Sequence, residues 1–246
     1  MYDKKMPNDY LQMPNSGKKN DTVNDNTLLT SKQSVAQQAK AESDTDKAHE
    51  PPSALVLPMQ DADVTYFPNW LSHKHAKHLM DYFIAQLQWQ QPSITLYGQK
   101  RLIPRLQAWY GDPNTQYEYS KLMMVPLPWD SRLLKLKQAC EQACDAKFNS
   151  VLANYYRHGN DSMGMHSDNE PELGEQPVIA SISLGQARRF TFKHSVSKDT
   201  QKIQLEHGSL LLMKGATQQY WQHGINKSKT QLGPRLNFTF RYVVPK

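Results

Sequence analysis

Residues 178–213 read VIASISLGQARRFTFKHSVSKDTQKIQLEHGSLLLM. Within them lie four short apolar or alternating runs: Val178–Leu184, Phe190–Lys193, Lys202–Leu205 and Ser209–Met213. Gly, Ser and Asp break the chain between them. Runs this short, bounded by turn residues, predict β-strands rather than helices. The same spacing extends outward, to Val151–Tyr156 on one side and to Gln218–Gln222 and Leu236–Val244 on the other. No strand–helix–strand alternation occurs, which argues against a doubly wound parallel sheet. Regular short strands predict a sandwich or barrel.

Upstream of the strands the hydrophobic period changes. Leu79, Met80, Phe83, Ile84 and Leu87 recur at three- and four-residue spacing, which predicts a helix from an N-cap at Ser72 to about Gln88. A second helix is expected from Ser131 to about Lys147. It carries Cys140 and Cys144 one turn apart, read as a small buried pair. His73, His75 and His78 in the first helix are read as a solvated face, since no carboxylate stands nearby in sequence. Two short strands are expected before this helix, at Ala54–Pro58 and Val64–Phe67. Residues 94–125 hold short β-like runs and many aromatics, among them Tyr97, Trp109, Tyr110, Tyr117 and Tyr119. Tyr117 and Tyr119 would share one side of a strand. The expected fold is therefore mainly β with flanking helices (α+β): a jelly roll with N-terminal helices packed on one face.

Composition divides the 246-residue chain. Residues 1–55 have no Phe or Trp and few aliphatics, and are read as a disordered tail. Residues 56–246 form the folded domain. Residues 1–50 carry 7 Lys against 8 Asp or Glu, whereas residues 51–246 carry 22 Lys or Arg against 15 acids, a net charge of +7. A basic folded part favours a polyanionic partner such as nucleic acid. Two cysteines exclude a disulfide framework and a zinc ribbon. No apolar run approaches the roughly 20 residues that span a bilayer, and the N-terminus has no apolar signal region. A cytoplasmic monomer is expected, or a nuclear one in a eukaryote, with no membrane partner.

The chemistry is carried by three separated stretches. His166-Ser167-Asp168 is an H-x-D triplet that aims an imidazole and a carboxylate the same way when extended. His223, placed by the pattern at a strand end, would complete two His and one carboxylate, the facial triad that holds non-haem Fe(II). His158, His194 and His207 are also available. The sequence Pro234-Arg235-Leu236-Asn237-Phe238-Thr239-Phe240-Arg241 sets Arg235, Asn237, Thr239 and Arg241 on one face of a strand and apolar residues on the other. Two inward arginines need an anion, because an unpaired buried charge is costly. A dicarboxylate co-substrate would supply one.

His166-x-Asp168, His223 and Arg235-x-Asn237-x-Thr239-x-Arg241 together resemble the AlkB family of Fe(II)/2-oxoglutarate-dependent dioxygenases. Asn154-Tyr155-Tyr156, Ser181-Ile182-Ser183-Leu184-Gly185 and His207-Gly208-Ser209-Leu210-Leu211 add to the similarity, which spans roughly residues 90–244. The resemblance implies a double-stranded β-helix. It implies Fe(II) ligation by His166, Asp168 and His223, with Asp168 also counted as catalytic. It implies a 2-oxoglutarate pocket of Asn154, Tyr156, Arg235, Asn237, Thr239 and Arg241. Glu170 would contact the exocyclic amine of a target base, and Tyr117 and Tyr119 would cover it. Leu96-Tyr97-Gly98, Pro104-Arg105-x-Gln107 and Tyr110-Gly111-Asp112 are similar to members acting on duplex DNA. Tyr97 would be the wedge that fills the gap left by a flipped base, within nucleotide-recognition hairpins at about residues 90–125. Arg189 departs from the acidic residue such members often carry.

The implied activity is oxidative demethylation of 1-methyladenine and 3-methylcytosine with O2, releasing succinate, CO2 and formaldehyde. The implied partner is alkylated DNA, double- and single-stranded, with RNA as a further one. The alternative is a dioxygenase of the same fold acting on methylated RNA or a protein side chain.

Overall fold

The computed structural model describes residues 53–244, except 97, 114, 116, 120 and 121; at 96, 117–119 and 122–124 it describes the backbone alone. The expected tail therefore lies almost wholly outside the described residues, as does Tyr97. Strands β1 (Leu55–Val56) and β2 (Asp63–Phe67) precede helix α1 (His73–Gln86). The hairpin β3 (Ser93–Leu96) and β4 (Gln99–Leu102), strand β5 (Leu106–Gly111), and the hairpin β6 (Tyr117–Tyr119) and β7 (Leu122–Met124) follow. After helix α2 (Ser131–Cys144) come β8 (Ser150–Tyr156), β9 (Met163–His166), a 3-10 turn (Pro171–Leu173), β10 (Ile179–Gly185), β11 (Arg188–His194), β12 (Thr200–Leu205) and β13 (Ser209–Lys214). A single helical turn, α3 (Thr217–Tyr220), leads into β14 (Trp221–Ile225), and β15 (Arg235–Arg241) closes the fold.

Two antiparallel sheets face each other. The larger runs β1-β2-β13-β10-β15-β8-β5 and the smaller β12-β11-β14-β9. From β8 onward the chain passes back and forth between them, as a double-stranded β-helix does. Period-two alternation on β15 decides which residues go where. Leu236, Phe238 and Phe240, each fully buried, pack outward against Phe83 of α1, Leu133 and Leu136 of α2, and Phe148. Burying each such side chain contributes about 1.5–3 kcal/mol, so this layer anchors both helices to the sheet. Arg235, Asn237, Thr239 and Arg241 line the space between the sheets instead. A second apolar cluster, including Phe190, Phe192 and Trp221 of the small sheet and Leu211 and Met213 of the large one, closes the remainder of that space.

Helix α1 begins where expected: Ser72 Oγ accepts the His75 amide at 3.3 Å. Helix α2 is capped by Asp130, whose carboxylate accepts the amides of Arg132 and Leu133. It stops at Cys144 rather than Lys147 because Asp145 turns left-handed at φ 50°. Cys140 is buried and Cys144 partly so.

Two expectations are corrected. Gln218–Gln222 is not one strand: residues 217–220 form α3 and only from Trp221 does the chain extend. The hydroxyl of Thr217 caps this turn locally, donating to the Lys214 carbonyl at 2.6 Å. His223 is thereby in the middle of β14 rather than at a strand end. Strand β9, which no apolar run announced, forms because it pairs with β14.

Candidate metal and co-substrate site

His166 and His223 stand directly opposite each other in the β9–β14 pair, so their rings meet at 4.5 Å between centroids. Just beyond, the register shifts between His223 and Ile225. Gly224 permits the close approach there, since a Cβ would lie 2.8 Å from the Met163 carbonyl and 2.9 Å from that of Gly164. Asp168 lies two residues past the end of β9, outside any strand, and is 1% exposed. Its oxygens come within 3.9 Å of His166 Nε2 and 4.0 Å of His223 Nε2. The three ligand atoms all lie within 4.8 Å of one another, the only such group of three or more among the described residues.

The protonation of these groups suits a cation. His166 Nδ1 faces the Gly164 carbonyl at 2.9 Å. A carbonyl can only accept, so Nδ1 is the donor there, and Nε2 is the nitrogen turned toward Asp168. Burial, with His166 alongside, pushes His223 down to about 3, so its imidazole is neutral at physiological pH. Its ring stacks on Phe190 at 5.3 Å. Burial would raise the Asp168 carboxyl, but Arg241, then His166 and His223, outweigh it and hold it at about 2. Two imidazoles and one carboxylate are a donor set that could hold Fe(II).

The same cavity continues onto the large sheet. Arg235, 1% exposed, donates from Nη2 to Ser183 Oγ at 2.9 Å. Its Nε and Nη1 are buried with no hydrogen-bond partner. Burial lowers its pKa to about 10. It remains a cation, 5.1 Å from the centre of the Tyr156 ring. A buried guanidinium with unused donors is a seat for an anion. Asn237 donates to Ser181 Oγ and the Ile182 carbonyl, and accepts from Thr239 Oγ1. Asn154 and Tyr156 line the same cavity. Asn154 is fixed by Arg105, which is buried and donates to its Oδ1 at 2.8 Å.

The structure thus brings His166, Asp168, His223, Asn154, Tyr156, Arg235, Asn237, Thr239 and Arg241 around one cavity. Arg241, on the lining of this cavity, donates from Nη2 to both oxygens of Asp168. Glu170 is partly buried, with Oε2 unpartnered, and does not line the cavity. Leu96 ends β3, and Gly98, in the turn before β4, is exposed at φ +77°. Tyr117 and Tyr119 lie on β6. The side chains of Leu96, Tyr117 and Tyr119, and all of Tyr97, lie outside the described residues. His73 and His207 meet edge to face at 4.7 Å, away from the triad. Ser181, Ser183 and Gln218 were not foreseen in the site. The alternation of Ser181 and Ser183 on a strand could have revealed the first two.

A candidate metal triad at the edge of the small sheet facing a buried arginine on the large one, inside a double-stranded β-helix, is the arrangement of a non-haem oxygenase scaffold. The chain belongs to the 2OG-Fe(II) oxygenase superfamily, in its AlkB family, the superfamily model matching residues 63–241. It is 38% identical over 192 residues to human alpha-ketoglutarate-dependent dioxygenase alkB homolog 3, covering 74% of this chain and 66% of that protein. It is 36% identical over 174 residues to the mouse DNA oxidative demethylase ALKBH2, covering 68% of this chain and 71% of that protein. The match thus spans slightly less than two thirds of the homolog 3 relative. A solved structure of OsALKBH1 shares the fold, with a TM-score of 0.55 at 17% identity, covering 77% of this chain and all 100% of that one. The family's cofactors are Fe(II) and 2-oxoglutarate. No described helix is long and apolar enough to cross a membrane.

Proposed function

We propose that this chain demethylates N-alkylated bases in DNA, with 1-methyladenine and 3-methylcytosine as substrates, consuming 2-oxoglutarate and O2 and releasing succinate, CO2 and formaldehyde. One observation carries the reading: the His166–Asp168–His223 cluster and the incompletely paired guanidinium of Arg235 share a single buried cavity. Iron(II) held by the triad would supply the oxidising chemistry. The protein's own residues bind and orient. Arg235 would take a carboxylate of 2-oxoglutarate, with Ser183 fixing the guanidinium. Asn237 and Thr239 would set the polar wall beside it. Phe190, Met213 and Ile225 line the cavity with apolar surface and limit water.

The substrate class rests on the mouse relative's name, DNA oxidative demethylase, and on charge. The outer face of the small sheet is basic. Arg189 lies opposite Gln204, Lys202 opposite Thr191, and Lys193 opposite Thr200. None of these pairs sets an acid against the cation. A polyanion held by such a face should release bound counterions, so affinity should fall steeply with salt. The methylated bases cannot pair normally, which lowers the cost of flipping them. They are also cationic, which would favour Glu170 and the aromatic pair Tyr117 and Tyr119.

The test is a mass-spectrometric repair assay with Fe(II), ascorbate, 2-oxoglutarate and 1-methyladenine oligonucleotides, single- and double-stranded. Loss of the methyl mass that depends on 2-oxoglutarate is expected. No loss on either strand, with iron bound, would overturn the DNA reading. Tyr97→Ala should reduce duplex repair more than single-strand repair; equal losses would remove the wedge role.

A further inference from the structure

His166 and His223 are fixed by strand pairing, and their main chains are held by the ladder between β9 and β14. Asp168 has no such support, because β9 ends at His166. Arg241 holds its carboxylate, but a side-chain contact does not by itself fix the main chain beneath. That is done by Gln218. Its Oε1 accepts the Asp168 backbone amide at 2.9 Å, and the side chain is 2% exposed. Its Nε2 donates to Met213 Sδ at 3.6 Å, so the amide oxygen, not the nitrogen, is directed at Asp168.

Gln218 stands on α3, and that turn is itself pinned. Thr217 Oγ1 donates to the Lys214 carbonyl at 2.6 Å and accepts the Asp63 amide at 2.9 Å, tying the turn to β13 and β2. His223 follows five residues later on the same segment. One short stretch therefore places one triad residue directly and tethers another.

We propose that Gln218 is a positioning residue for the metal site, fixing the Asp168 main chain so that its carboxylate meets the two imidazoles. The proposal rests on the reading of His166, Asp168 and His223 as metal ligands. A glutamine suits the task. It offers an uncharged acceptor with the reach to cross from α3. Methionine has similar length and no comparable acceptor, and would leave a buried amide unpaired.

The experiment is a cobalt(II) titration of the purified wild-type chain and of Gln218→Met, followed by visible absorption, with thermal unfolding of both metal-free proteins alongside. Partners that orient metal ligands are worth about 10–100-fold in metal affinity, so Gln218→Met should raise the cobalt Kd by about that factor at temperatures where it is fully folded. A folded Gln218→Met with wild-type cobalt affinity, even if its Tm is lowered, would reduce Gln218 to a structural residue and overturn the proposal. Hydrogen exchange on the wild-type protein gives an answer that does not depend on the variant folding. The Asp168 amide should be strongly protected, and exchange at the rate of a free amide would overturn the tether. If the wild-type chain fails to bind cobalt, the metal reading beneath the proposal fails; if it binds and the variant binds equally, only the role of Gln218 fails.

Discussion

Nη2 of Arg241 donates to both carboxylate oxygens of Asp168, each at 2.8 Å, across 73 residues of sequence. Arg241 is the last residue of β15 in the large sheet, whereas Asp168 extends from the end of β9 in the small one. The pair is buried at both ends, with side chains 5% and 2% exposed. It joins the two sheets at the candidate metal triad and opposes the burial that would raise the Asp168 carboxyl.

Replacing Arg241 by Met should therefore damage metal binding in a pH-dependent way. Without the guanidinium, burial acts on the Asp168 carboxyl with less opposition, and its pKa rises. Protons then compete with the cation. Cobalt affinity of Arg241→Met should be reduced about 10–100-fold, and the gap from wild type should widen from pH 8 to pH 5. A constant gap across that range would show that the arginine acts by packing alone.

The metal-free protein should lose stability as the pH falls, beginning with His223. The folded value of about 3 lies below the ordinary 6.5. Its contribution is thus fully present above pH 6.5 and is lost progressively as the pH falls toward 3. Asp168, at about 2 against an ordinary 3.8, adds a loss with the same sign in the lower window. Urea midpoints between pH 8 and 4 should decline for the wild type and decline less for His223→Leu. Parallel curves would contradict the assignment of the slope to His223.

Arg235→Met should affect 2-oxoglutarate rather than iron. A charge-assisted bond to a buried group is worth about 1.5–3 kcal/mol, equivalent to roughly 10–100-fold in affinity. The KM for 2-oxoglutarate should rise by that order, with cobalt affinity nearly unchanged. Ser183→Ala, which removes only the hydroxyl that Arg235 Nη2 contacts, should produce a smaller rise. A normal KM in Arg235→Met would place the co-substrate elsewhere.

Phe238→Ala tests the other side of the same strand. The ring is fully buried and lies 4.8 Å from Phe83 of α1. Its loss should cost about 3–5 kcal/mol of unfolding free energy, read from urea denaturation. The folded fraction should retain its cobalt affinity, since Phe238 faces the helices and not the triad.

The sequence by itself determined a good deal. Strand periodicity decided the fold class, because the β period of two is a local property: Leu236, Phe238 and Phe240 had to face one way and Arg235, Asn237, Thr239 and Arg241 the other. The same alternation made the arginine face legible, and the H-x-D spacing made two of the three triad residues legible. Helix α1 was readable from its apolar stripe and the Ser72 cap. Other features depended on contacts between distant segments. Strand β9 exists because β14 pairs with it; its own residues, Met163-Gly164-Met165-His166, alternate over only four positions and include a glycine, too short a signal to announce a strand. The turn α3 broke an expected strand because the Thr217 hydroxyl closed a local bond that hydropathy does not register. Only the tertiary structure decided that Arg241 pairs with Asp168, that Arg235 keeps unused donors, and that Gln218 reaches the Asp168 amide. Each depends on where two sheets bring side chains together, and that is set by packing across the β-helix rather than by neighbours along the chain.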